Sequence, residues 1–332
     1  MRTASTKAAA PTAGDAPSAG RGRDAERPGE IPAAGWRDIA MRVRRRIADD
    51  RLSLVAAGVA FWAVLATFPA LLALLSLFGI AFDPAQVPAR LAPLRADLSP
   101  DALQLLTALL QGLADPRTHR LGLSLGGGLL FALWGASLAI RMLMEALNVA
   151  YGETEKRGFV IRIGLALLIT AGAMTVAAIL AGAVVVTPAA LRIVDVGGLP
   201  RGLLVYARWP VVTLLFWLSL LVMYRYGPSR AHARWSWVSW GAFGATALWL
   251  CGSMLLSWYV SGFGAYDKAY GSVGLIVIVL VWYLLSAFAV LVGAEVNAEL
   301  ERQTRVDTTV GADRPLGRRG ASVADTVGDA AR

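Results

Sequence analysis

In 332 residues the chain carries one cysteine, Cys251, and two histidines, His119 and His232. A single cysteine excludes a disulfide within the chain and a metal centre built on several thiolates. Two histidines far apart in sequence leave no H-E-x-x-H or H-x-x-E-H zinc signature. No G-x-x-x-x-G-K-[ST] phosphate loop occurs, which excludes nucleotide hydrolysis by that route. Charge is scarce too: charged residues make up 17% of the chain and hydrophobic ones 56%. These absences predict no enzymatic activity, no cofactor and no bound metal.

What is present is a set of long apolar runs. A bilayer core about 30 Å thick takes roughly 20 apolar residues of helix to cross. Six runs meet or approach that length, at about 52–82, 121–148, 163–191, 203–226, 235–262 and 269–299. In lipid every backbone polar group must be paired internally, so such runs are helices or barrel strands. Barrel strands alternate polar with apolar residues over about 10 positions, and these runs do not alternate. The predicted fold is an all-α membrane protein, a six-helix transmembrane bundle over residues 37–301. Residues 1–36 and 302–332 have no apolar periodicity and read as disordered cytoplasmic tails. No cleavable signal peptide is expected before the first span, because residues 1–36 have no apolar core.

Two amphipathic helices accompany the spans. In Trp36–Asp50 the residues Trp36, Ile39, Ala40, Val43 and Ile47 recur at helical spacing between arginines, which predicts a helix lying on the inner membrane interface. Ser99–Pro100–Asp101 reads as a helix start, which predicts an amphipathic outer helix between helices 1 and 2. Pro69 falls near the middle of the first span and predicts a kink there.

The net charge of +9 is distributed by topology. With the N-terminus inside, the inner segments hold 23 Lys and Arg and the outer segments 8. That bias places both termini in the cytoplasm. Six arginines between Arg37 and Arg51 would meet anionic inner-leaflet lipids. The expected partners are therefore the lipid bilayer, its anionic lipids and a small polar solute, not nucleic acid; an oligomer is allowed.

Polar groups at membrane depth are the best guide to function. Arg141, Glu145 and Asn148 share one face of the second helix. Tyr151 follows in the next loop, and Glu295 and Asn297 lie near the end of the sixth helix. Together they suggest a polar cluster at the cytoplasmic mouth. Two readings are open: Arg141 pairs with Glu145 or Glu295 to lock helices together, or the cluster forms a charged vestibule for a polar or anionic solute.

Several segments carry a resemblance. AAGVAFWAVLATFPALLAL (Ala56–Leu74), ALNVAYGETEKRGF (Ala146–Phe159), YRYGPSR (Tyr224–Arg230), GAFGATALW (Gly241–Trp249) and the run Tyr270–Leu300 resemble the YihY/virulence factor BrkB family. Gly227 departs from it, standing where members tend to show a bulkier residue. The resemblance implies a protein of the bacterial plasma (inner) membrane, with six transmembrane helices and cytoplasmic ends. Part of that family carries an older ribonuclease label, which no cluster of His and carboxylate ligands supports in this sequence. The expected function is transport or export of a small polar or anionic solute; the alternative is a non-transporting protein of envelope integrity or assembly.

Overall fold

The computed structural model describes residues 20–81, 122–193, 201–262 and 266–330. The outer helix expected near Ser99 and residues 1–19 of the N-terminal tail lie outside them. Among the described residues the regular structure is helical, apart from a single bridge between Ala233 and Thr309. The helices are α1 (Ala33–Asp49), α2 (Leu52–Ala81), α3 (Gly122–Ala150), α4 (Phe159–Ile193), α5 (Arg201–Tyr226), α6 (Trp235–Gly262) and α7 (Tyr266–Glu301). Five have the length and apolarity to cross a membrane, and the pair α1–α2, bent by 63°, supplies a sixth. The bend falls at Arg51, whose φ of 49° is left-handed, a conformation few side chains adopt.

Helix α7 is the hub, packing against α1, α2, α3 and α6. Many of its core positions are small, including Gly293, Ala294 and Ala298, so neighbouring backbones come close. Helix α2 runs through Pro69 without interruption, and a side chain at Gly135 of α3 would strike the Pro69 ring at 2.9 Å. The lipid-facing sides keep large apolar residues exposed, among them Phe131, Leu168, Phe243 and Trp258, as hydrocarbon surroundings allow.

Two expectations change. The stripe of α1 does not lie on the membrane: Ile39 and Val43 are buried with Trp237 and Leu300 of the bundle. Trp237, beneath this stripe, has only 1% of its surface exposed. Nor are the described parts of the two tails disordered. Residues 20–32 fold back on the end of α7, and Thr304, Thr308, Val323 and Ala324 are buried. Composition hid this, because the order comes from contacts between the two chain ends. The buried Arg23 guanidinium donates to the Arg302, Gln303 and Gly328 carbonyls, a cation on the negative end of α7.

Candidate functional site

The ends of α3, α5 and α7, the start of α6, helix α1 and the C-terminal segment meet at one end of the bundle. The Asn148–Gly152 sequence closes α3 there. Gly152 takes a left-handed φ of 61°, and the Tyr151 and Glu153 amides bond back to Leu147 and Asn148 carbonyls, a glycine-terminated helix cap. The Asn148 side chain accepts from the Ser229 amide at 2.8 Å and donates to Glu155 at 3.3 Å. Arg157 binds Glu155 and donates to the Tyr226 and Gly227 carbonyls, closing α5. Its side-chain hydrogen bonds hold the Glu155 carboxyl at about 2, against the opposing effect of burial. Gly227 has a packing reason: a side chain there would meet the Met223 carbonyl at 2.5 Å and Leu147 at 2.8 Å.

A second knot joins α6 and α7. The Gly241 amide donates to Asn297 Oδ1 at 2.8 Å, and Asn297 Nδ2 donates to the Tyr151 hydroxyl at 3.3 Å. Tyr224 donates to the Val290 carbonyl at 2.6 Å. A side chain on Gly241 would collide with Gly293 and Asn297, so the helices cross with backbones in contact. Tyr151 is fully buried, and burial raises its hydroxyl pKa.

Outside these knots lies a layer of ion pairs. Arg230 is buried, 2.6 Å from Glu301, with its guanidinium 4.9 Å from the Tyr151 ring centre. Burial alone would lower the Arg230 pKa, yet the Glu301 carboxylate prevails and raises it. Glu299 is held by Arg42 and Arg302 at 2.5 Å each and approached by Arg46 at 3.7 Å. Gln303 ties Arg42 to the Arg21 carbonyl. Between α1, α7 and the C-terminal segment a pocket of about 530 Å³ is lined by Arg42, Arg45, Arg46, Asp49, Glu299, Arg302 and Ser322, among others.

The structure thus divides the residues singled out from sequence. Asn148, Tyr151 and Asn297 come together in satisfied hydrogen bonds. Glu145 binds Arg162 of α4 at 2.7 Å, not Arg141. Arg141 shares its helix face with Glu145, as the spacing required, but α4 supplies the competing arginine. The Arg141 guanidinium lies 5.1 Å from the Trp134 ring centre, with Nε and Nη2 buried and unpartnered among the described residues. Both carboxylate oxygens of Glu295 are likewise buried and unpartnered. Pro69 lies away from this end, against α3. Sequence reasoning missed Arg23, Arg42, Arg230 and Glu301. The i,i+4 spacing of Arg42 and Arg46 on α1 was the available signal; nothing local marked the others.

The model of the family described as Virulence factor BrkB matches residues 43–315, most of the chain. The chain belongs to the virulence factor BrkB family. Relatives of this BrkB-family protein include a putative ribonuclease-like protein, YfkH, of Bacillus subtilis, 30% identical over 75% of this chain and 90% of its own length. A UPF0761 membrane protein of Vibrio parahaemolyticus is 28% identical over 78% of this chain and 81% of its own. One from Mannheimia succiniciproducens is 34% identical over a shorter stretch, 31% of this chain and 35% of its own. No solved structure matches the BrkB-family chain.

Proposed function

We propose that this BrkB-family protein sits in the bacterial plasma membrane with both ends in the cytoplasm and moves a small polar or anionic solute. The single observation that carries this is Arg141. A cation inside a span is expensive, and a structural arginine would be expected to have a carboxylate beside it. Arg141 has two buried, unpartnered guanidinium nitrogens instead. The arginine-lined pocket at the helix ends offers an anion a first resting place on the same side as the charge-rich loops. The reading needs no covalent chemistry and no metal. Magnesium or manganese added to the purified protein should produce no RNA cleavage.

Proteoliposomes holding the full chain test the reading with phosphate, sulfate and small carboxylates as probes. The protein should take up at least one of them, and Arg141→Ala should remove most of that uptake while leaving folded protein in the membrane. Equal uptake by the variant would defeat the assignment. The satisfied bonds of Asn148, Tyr151 and Asn297 favour the second reading, a non-transporting envelope or assembly protein. That reading requires Arg141→Ala to lower the melting temperature, and no probe to raise it.

A further inference from the structure

Glu295 is an acidic group buried without a companion among the described residues. It lies in α7, inside the span Ile276–Glu301, with none of its surface exposed. Neither carboxylate oxygen has a hydrogen-bond partner among the described residues. The charged and titratable groups that face it are Glu299 on its own helix, Arg302 just past the end of that helix, Arg46 and Asp50 at the α1–α2 bend, and Tyr151 after α3. Helices α2 and α6, which also pack on α7, contain no charged residue.

Neither cation neutralises it. Arg302 and Arg46 are drawn to Glu299 instead, at 2.5 Å and 3.7 Å. Asp50 and Glu299 repel a further negative charge. An ionised carboxylate buried without a donor is strongly disfavoured against its neutral form. A proton removes that cost at once, whereas a metal cation would be repelled by the nearby Arg46 and Arg302. Access is short, since Glu299 lies one helical turn nearer the helix end and lines the pocket with Arg46 and Arg302.

We propose that Glu295 is a proton-binding group, and that loading and unloading it couples solute movement to protons. The coupling half rests on the transport reading above. In the loading step one proton from pocket water adds to a Glu295 oxygen, turning a carboxylate into a neutral carboxylic acid; unloading returns the proton to water.

Infrared difference spectra of the full chain in lipid nanodiscs, titrated between pH about 5 and about 9, test the site without reference to transport. A buried carboxylic acid band should appear, vanish in Glu295→Gln, and persist at a shifted frequency in Glu295→Asp. No such band in the wild type, or one that survives in Glu295→Gln, overturns the proton site. Uptake of the same phosphate, sulfate and carboxylate probes, with and without a pH gradient, tests the coupling. Wild-type uptake should respond to the gradient and Glu295→Gln uptake should not. A wild type that transports regardless of the gradient overturns coupling alone; a wild type that transports nothing overturns coupling together with the transport reading, and the infrared result still decides the proton site.

Discussion

Arg230 and Arg141 both lie beside an aromatic ring, yet their surroundings differ in kind. Arg230 is locked to Glu301, and the pair is enclosed at the helix ends. Removing one member of such a pair strands a buried charge. Arg141 has a ring face for company and no carboxylate, so its removal strands nothing. Glu155 gives the residue scale a pH signature. Its carboxyl sits at about 2 when folded, below its ordinary 4.5, mainly through the hydrogen bonds from Arg157. A depressed carboxyl contributes stability that is whole above the unfolded value and is lost as pH falls through the folded one. The melting temperature should therefore drop as pH falls from about 4.5 toward about 2, and Glu155→Gln should show a shallower drop.

Among the elements, the α6–α7 crossing is the tightest contact. A side chain on Gly293 would meet the Tyr224 hydroxyl at 2.5 Å, and Ala245 and the Gly241 carbonyl at 2.6 Å. Gly293→Ala should cost about 1–3 kcal/mol as an overpacked core position does, read as a lower melting temperature. Gly244→Ala on the same α6 meets nothing within 4 Å and should leave it unchanged. The spans themselves were legible in the sequence, because hydrocarbon demands about 20 apolar residues and tolerates little else. Gly241 and Ala245 stand at small-xxx-small spacing, so a packing face on α6 was legible. Its partner was not, since spacing along one helix says nothing about which helix lies opposite. The same limit explains α1: the Ile39/Val43 stripe fits a lipid surface and a protein surface equally well, and only the fold shows that it covers Trp237.

At the scale of the molecule, the two chain ends close the bundle together. Arg23 reaches carbonyls of Arg302, Gln303 and Gly328, about 280 to 305 residues away. Arg319 donates to carbonyls of Arg305, Val306, Arg314 and Ala324, and so folds the C-terminal segment around itself. Polar, glycine-rich composition reads as disorder, and bonds of such long range leave no local trace, which is why this closure was invisible in the sequence. Ending the chain after Thr304 should speed tryptic cleavage between Arg21 and Arg46, because the Gly328 and Asp329 carbonyls that hold Arg23 and Arg42 are then gone.

The candidate site was half legible for the same reason. Its residues were recognisable as polar groups at helix ends, but which of them hold helices and which stand free depended on neighbours from α4, α5 and the chain ends. That division is what the account rests on, and melting curves of Arg141→Ala and Asn297→Ala, recorded side by side in one lipid environment, test it most directly. Asn297→Ala removes the buried bonds to the Gly241 amide and the Tyr151 hydroxyl and should lose about 1–3 kcal/mol, while Arg141→Ala should melt with the wild type. Equal losses from the two variants would contradict the account.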